Sequence, residues 1–339
     1  MAKKAELPLV KPLYGTYHYQ GASSAIIQSN PSIKNYFYNS ALNLKCERKF
    51  LTGYTSPEIG IVGSGYDVNP HLEKLKIPMK CAKGYLPFLI RSLIDNGYYV
   101  AFGGVDDYYM EGKSWYQEKH FDHDGLIVGY DQNDKTYTIY AYDQNWQYRT
   151  FKTPQACFEQ GRRAMEKENP EGFIVGLKPL PNKVELKPLQ IAQKIREYLD
   201  STYGRFPLDL EKAPLEKKPF VFGILVQDYI CLYLDKLLDD SIPHDRMDRR
   251  VFRQIWEHKA VMLERIRACE EHLHLGDDFG NAYAPFVKKA DNMRMMYALY
   301  HQRRRDSLLL SIKQGLQEIR VAETLMLREF AHKLEEAGK

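Results

Sequence analysis

The sequence lacks the features that mark several classes of protein. No apolar run approaches the roughly 20 residues that a membrane-spanning helix needs, and the segment MAKKAELPLVKPLYG at the start has no apolar centre of the signal-peptide kind. The 48 basic and 44 acidic residues are interspersed and form no basic stripe of the kind that binds nucleic acid. We therefore expect a cytoplasmic protein that binds neither membranes nor nucleic acid.

Cysteine is also scarce. The five cysteines are far apart and contain no CxxC pair: Cys46, Cys81, Cys157, Cys231 and Cys269. An odd number at such spacing argues against a disulfide framework and against a structural zinc site. Cys231 and Cys269 fall in amphipathic helical patterns, which indicates core positions. Cys46 is predicted late in a helix, away from the end that activates a thiol, so we interpret it as structural.

What the chain does contain is an ordinary globular composition, with 44% hydrophobic and 27% charged residues among 339. This length has room for two domains. A helix at 85–97 and strands at 98–105, 123–131 and 135–143 are followed by a linker rich in Pro and Lys, after which helical periodicity prevails. The pattern predicts an α+β protein, with a mixed domain at 1–182 and an all-helical domain at 183–339.

The strongest candidate site lies on the hairpin HDGLIVGYDQNDKTYTIYAYD. His123 begins its first strand and Asp143 ends its second. In an antiparallel hairpin, the start of one strand lies beside the end of the next. A carboxylate in that position can orient an imidazole as the general base for a Ser or Cys nucleophile. Taken singly, each residue is more typical of a strand end that forms a structural hydrogen bond.

A histidine heading an apolar strand, followed by VGYD and by Asp after the next strand, resembles the papain-like fold of C39-type peptidases. The same stretch resembles even more closely the cysteine-protease-like acyltransferases of natural-product biosynthesis, of the butirosin and closthioamide types. The segments SPEIGIVGSGY, SNPSIKNYFYNSALNL and FRQIWEHKAVMLERI resemble those proteins too. The resemblance implies a papain-like fold with an antiparallel sheet. It also implies amide formation in antibiotic-type pathways.

By the same resemblance, an acyl chain passes from a carrier-protein thioester to a cysteine and then to an amine. The acyl chain implied is a p-hydroxybenzoyl-capped β-alanine oligomer, and the acceptor implied is a small diamine. His123 and Asp143 would complete a Cys-His-Asp triad, and no cofactor is expected. An acyl carrier protein is therefore the expected macromolecular partner.

The resemblance places the cysteine near the N-terminus, at the start of a helix and shortly after a polar oxyanion donor. The matching segment YHYQGASSAIIQSN supplies Gln20 as the donor, but Ala22, Ser23 and Ser24 stand where the cysteine is implied. Three hypotheses stay open. Ala22 replaces the cysteine in an inactivated variant, Ser23 or Ser24 is the nucleophile, or the domain binds without catalysis.

The acidic, aromatic loop VDDYYMEGKSWYQ is either a surface loop or a lid over the substrate. If the loop is a lid, we expect the carboxylates of Asp106 and Asp107 to bind the amine of the substrate. Tyr19 and Tyr108 would then line a tyrosine-rich pocket. The segment HFDHD holds clustered His and Asp, but without a third ligand motif we expect no metal.

Two further functions remain open, a cysteine-type peptidase of the same fold and a catalytically dead protein that binds a carrier protein or peptide. The helical domain has three candidate roles: it packs on the first domain, forms a homodimer interface, or walls the pocket.

Overall fold

The computed structural model describes residues 3–82, 84–166, 168, 172–203 and 219–338. They form two compact units, each assembled from separate parts of the chain. Unit 1 contains Met1–Lys34 and Ser64–Lys183, and unit 2 contains Asn35–Gly63 and Val184–Lys339. Residues 35–63, which we assign from the sequence to the first domain, therefore cluster with the C-terminal half.

The described elements are mixed α and β, as the composition pattern predicts. The strands are β1 (Lys4–Glu6), β2 (Leu44–Glu47), β3 (Ile59–Ile61), β4 (Leu72–Pro78), β5 (Tyr99–Asp106), β6 (Asp122–Asp131), β7 (Thr136–Tyr142), β8 (Tyr148–Pro154), β9 (Phe173–Pro179) and β10 (Phe220–Phe222). The helices are α1 (His18–Gln28), α2 (Asn35–Ser40), α3 (Leu86–Asp95), α4 (Gln155–Met165), α5 (Pro188–Leu199), α6 (Val226–Leu238), α7 (Arg250–Leu273), α8 (Asp278–Arg303) and α9 (Asp306–Ala337). In the parts of the chain that are described, no helix is long and apolar enough to cross a bilayer.

Unit 1 is built on an antiparallel sheet of seven strands. Their order is β4-β9-β5-β6-β7-β8, and β1 pairs with β6. A bulge interrupts β5 between Phe102 and Val105, where Gly104 has a φ of +78°. Glycine adopts this left-handed conformation without steric cost, and a bulge re-aims the residues that follow it. The bulge therefore sets the direction of the chain just beyond β5.

Helices pack against the two central strands β5 and β6 of the sheet. β5 is buried along its whole length because α3 and α4 pack against it. α4 comes so close that a Cβ on Gly161 would lie 2.8 Å from the carbonyl oxygen of Asp106. α1 packs against β6. The α3 prediction is confirmed, since Asn96 caps the helix and Gly97 follows with a φ of +82°.

Unit 2 is mainly helical but not all-helical, so that prediction is wrong. It contains a three-stranded sheet in the order β10-β2-β3, whose strands of three or four residues are too short to show a period in the sequence. Cys46 lies in β2 and not in a helix. Cys231 and Cys269 are buried in α6 and α7, which confirms their core interpretation.

The interior of unit 2 holds an ion pair with no exposed surface. The Lys259 ammonium lies 2.6 Å from a carboxylate oxygen of Glu323, and both side chains are fully buried. Tyr198 and Gln227 also donate to this carboxylate. The two charges are thus paired and hydrogen-bonded, which offsets the cost of removing them from water.

Candidate functional site

The ring of His123, at the start of β6, is held by a buried carboxylate. Its Nδ1 lies 2.7 Å from Oδ2 of Asp107, whose side chain is only 2% exposed. A hydrogen bond to a charged acceptor in such surroundings is among the stronger ones in proteins. Because a carboxylate accepts the Nδ1 proton, the neutral ring carries its lone pair on Nε2, which lies 3.9 Å from Oδ1 of Asp124.

The β5 register explains why Asp107 reaches this ring. Val105 pairs with His123 across the sheet, after the bulge, and Asp106 pairs with Asp122. Asp107 then begins a short 3₁₀ turn, and its backbone N–H donates to the carbonyl of Phe121. The turn folds the carboxylate back over the first residues of β6.

The structure corrects the role predicted for Asp143. Its Oδ1 accepts from the backbone N–H groups of Asn145 (2.8 Å) and Gln147 (2.9 Å), and its Oδ2 pairs with Arg149. Burial by itself would raise the pKa of Asp143, but these three donors bring the pKa below its usual range. Asp143 therefore ties the turn between β7 and β8, and its carboxylate makes no hydrogen bond to His123 in the described structure.

A buried lysine compensates the charge of Asp107. The Lys113 ammonium lies 3.3 Å from Oδ1 of Asp107 and 3.2 Å from Nδ1 of His123, with no exposed side-chain surface. It also donates to the carbonyl of Asp124. Lysine is almost never fully buried unless it is paired. Nothing in the local sequence pattern distinguishes this lysine from a surface residue of the loop.

A second histidine lies against the first. His18 is the first residue of α1, and its ring centroid is 4.7 Å from that of His123 in an edge-to-face arrangement. The rings of Tyr142 and Tyr148 lie 5.4 and 5.3 Å from it. Sequence reasoning missed His18, although it lies in the YHYQGASS segment. The signal that could have found it is its position at the start of the helical run.

The predicted nucleophile positions lie elsewhere on α1. Ala22 is buried one turn beyond His18 on the same helix face. The Ser23 hydroxyl accepts from the Asn69 amide at 3.3 Å, and the Ser24 hydroxyl bonds the backbone of Tyr14. In the described structure neither hydroxyl bonds His123, so the serines do not form the predicted nucleophile–base pair.

The structure agrees with the structural interpretation of Cys46 but not with the oxyanion role predicted for Gln20. Burial raises the pKa of the Cys46 thiol to about 12, with a smaller contribution from Glu47, so this cysteine is no thiolate at neutral pH. Gln20 is fully buried and lies two residues after His18, which places it about 200° around the helix. Gln20 therefore points away from the His18 face, and the predicted oxyanion role does not fit this geometry.

Asp106 is engaged in structure and not free to bind an amine. Its Oδ1 accepts from the backbone N–H groups of Tyr108 and Phe121, and its Oδ2 lies 2.6 Å from Nδ1 of His120. The Tyr108 ring stacks on His120 with a centroid distance of 4.3 Å. The Tyr19 ring stacks on Tyr17 at 5.6 Å. Asp106 and Tyr108 are therefore held by their contacts with His120 and the backbone of the loop.

The open carboxylate of the site belongs to Asp124. Its side chain is 42% exposed, and its Oδ1 lies 3.8 Å from Nε2 of His18 and 3.9 Å from Nε2 of His123. Packing of protein atoms around the carboxyl raises the pKa of Asp124, while His123 and Lys113 act in the opposite direction. Two imidazoles and one accessible carboxylate thus converge at the end of the sheet where β6 begins.

Neither a scan against protein-family models nor a search of curated proteins finds a match for this chain. The class of the protein therefore has to be argued from the site itself. Its defining feature is an imidazole that a buried carboxylate orients, with its reactive nitrogen facing an open acidic group.

Proposed function

We propose that this protein is an amide-forming acyltransferase in which His123 is the proton acceptor. The observation that carries the proposal is the 2.7 Å bond from His123 Nδ1 to the buried Asp107, which leaves Nε2 as an acceptor on a ring that is 21% exposed. A general base needs this combination of a fixed ring and an accessible lone pair. The resemblance to papain-like acyltransferases supports the reaction class, and the antiparallel sheet with α1 against β6 is compatible with it.

The residue at the start of α1 decides the route. The resemblance implies a thiol at the start of a helix, where the helix N-terminus lowers a thiol pKa, and the sequence match puts it at Ala22, four residues after α1 begins. The first residue of α1 is His18, which carries no thiol. We therefore propose direct transfer, in which the acceptor amine and not a protein side chain attacks the acyl thioester.

The step balances without a covalent enzyme intermediate. The amine nitrogen attacks the thioester carbonyl carbon, the N–C bond forms, and the amine proton passes to Nε2 of His123. The C–S bond then breaks, and the leaving thiolate takes the proton back from the imidazolium. Asp124 would bind the second, protonated amino group of a diamine, because its carboxylate is the open one.

The phenol of Tyr66 interacts electrostatically with Asp124 and is a candidate to assist the transfer. Burial raises the pKa of Tyr66 to about 12, with further contributions from the charges of Asp124 and Asp67. Tyr66 therefore keeps its proton at neutral pH and can act as a hydrogen-bond donor.

The test uses a small thioester, the N-acetylcysteamine ester of 4-hydroxybenzoate, with 1,3-diaminopropane as acceptor and mass spectrometry of products and protein. We expect amide, with no acyl adduct on the protein. His123→Ala should lower kcat/KM by about 10²- to 10⁴-fold, whereas Asp143→Asn should stay close to the parent. Free acid as the sole product would instead indicate a hydrolase or peptidase, and absence of turnover would indicate a binding protein.

A matched pair of cysteine variants tests the position of the nucleophile. His18→Cys puts a thiol at the helix start beside His123, and we expect it to gain the acyl mass and release it to the amine. Ala22→Cys puts the thiol four residues further along, about 6 Å from the helix start, and we expect no adduct. The reverse result would restore Ala22 as the substituted nucleophile.

A further inference from the structure

The three groups that meet where β6 begins have the composition of a transition-metal site. Nε2 of His18, Nε2 of His123 and Oδ1 of Asp124 converge, and the ligand atoms of the three residues all lie within 4.8 Å of one another. We propose that they bind one Zn²⁺ ion. Two imidazoles with one carboxylate suit zinc, whereas Mg²⁺ and Ca²⁺ prefer sites made of oxygen atoms alone.

The distances are close to what coordination requires. Oδ1 of Asp124 lies 3.8 and 3.9 Å from the two Nε2 atoms, and the cluster offers one ligand atom per residue with all three within 4.8 Å of one another. Three atoms with separations of 3.8, 3.9 and 4.8 Å have an equidistant point about 2.5 Å from each. Zinc bonds to imidazole nitrogen and carboxylate oxygen are about 2.0–2.2 Å long. Each ligand atom would thus move by roughly half an ångström or less, which side-chain rotation alone can supply.

The surroundings already orient one ligand as metal sites require. A metal-binding histidine almost always donates its other ring N–H to a carboxylate or carbonyl, which fixes the tautomer. Asp107 makes this bond to Nδ1 of His123. The positive charge of Lys113 lies on the Nδ1 side of the ring, paired with Asp107 at 3.3 Å, and so faces away from Nε2.

The ligands also leave coordination positions open. Three protein ligands with a fourth position for water or substrate are typical of zinc sites that are not purely structural. The exposed fraction of Asp124 shows that this side of the cluster faces solvent. The inference goes beyond the proposed acyl transfer, because zinc on Nε2 of His123 would occupy the lone pair that the base uses.

The test is isothermal titration of the metal-free full chain with ZnCl₂, with no thioester present. We expect one ion per chain. His18→Ala and Asp124→Asn should each weaken binding by about 100-fold, and His120→Ala should not, because His120 pairs with Asp106 and lies outside the cluster. Co²⁺ in place of zinc should give the strong visible absorption of a four- or five-coordinate site in the parent and not in His18→Ala.

Thermal melting of each metal-free variant controls for folding, and Asp124→Asn keeps the test decisive if His18→Ala does not fold. The proposal is overturned if the parent binds no zinc, or if both ligand variants bind it as the parent does. It is also overturned if His120→Ala loses the ion. None of these results depends on whether acyl transfer occurs, so failure of this inference and failure of the proposed function are separate outcomes.

Discussion

The buried pair of Asp107 and Lys113 allows mutations to separate the stability of the fold from the proposed acyl transfer. Asp107→Asn removes the negative charge that faces a lysine with no exposed surface. Leaving one partner of a buried ion pair unpaired costs about 3–5 kcal/mol of unfolding free energy. Lys113→Met removes the lysine charge beside Asp107 but keeps the hydrogen bond from His123, so it should destabilise the fold by less than Asp107→Asn does. The double variant removes both charges, so it should be more stable than the sum of the two single losses predicts, by about 1–3 kcal/mol.

Activity should follow a different pattern. An amide at position 107 can donate to Nδ1 of His123, which would place the ring proton on Nε2 and remove the acceptor. We therefore expect kcat to fall by about 10²- to 10⁴-fold in Asp107→Asn and to stay low in the double variant. Stability would then return without activity.

Urea unfolding, monitored by tryptophan fluorescence, measures the free energy of unfolding of the parent and the variants. The chain has three tryptophans. Trp115 and Trp146, whose rings are 5.4 Å apart, belong to unit 1, so a Trp256→Phe background reports on unit 1 alone. Recovery of activity in the double variant would refute the orienting role of Asp107. Purely additive losses would refute the description of Asp107 and Lys113 as a coupled, desolvated pair.

Three further predictions concern zinc, acid stability and the interior of unit 2. Micromolar Zn²⁺ should suppress acyl transfer and excess EDTA should restore it, because the ion and the substrate proton compete for Nε2 of His123; an unchanged rate at saturating zinc would contradict this. Asp143→Asn should lower the unfolding free energy near pH 7, and its difference from the parent should shrink below about pH 4. The sign follows from the lowered folded-state pKa, since the charged form of Asp143 stabilises the fold above the unfolded pKa and this contribution is lost as pH falls; a constant difference down to pH 2 would argue against it. Glu323→Gln should destabilise unit 2 by about 3–5 kcal/mol, because Lys259 would be left buried and unpaired, which a thermal melt of the parent and variant can check.

The sequence predicts α3, β5 and the β6–β7 hairpin of unit 1 because their signals are local, whereas β1 and β4 were not predicted. Helix α3 has an apolar stripe and an Asn-Gly end, and the β6–β7 hairpin has alternation around a polar turn. β2 and β3 were not predicted, because three or four residues carry no measurable period. Their pairing with β10 comes from residues far away in the chain, which local patterns do not reveal.

The site was predicted only in part, because the partners of its residues are set by tertiary packing and not by spacing along the chain. His123 is where the hairpin places it, but its carboxylate partner depends on a bulge and a turn in a different strand. The spacing of Asp143 fits a partner of His123, but its carboxylate accepts hydrogen bonds from nearby backbone N–H groups and from Arg149 instead. His18 reaches the site through the packing of α1 on β6, which spacing along the chain does not encode.

The placement of Asn35–Gly63 in unit 2 has a consequence for synthesis of the chain. Glu47 in β2 pairs with Phe220 in β10, about 170 residues later. At roughly 5–20 residues per second, a ribosome takes about 10–35 s to cover that interval. During this time one edge of β2 is available to pair with other chains, which is the usual hazard of an unprotected strand. A fragment ending near residue 183 would keep that edge unpaired permanently, so activity assays on unit 1 should use the full-length chain.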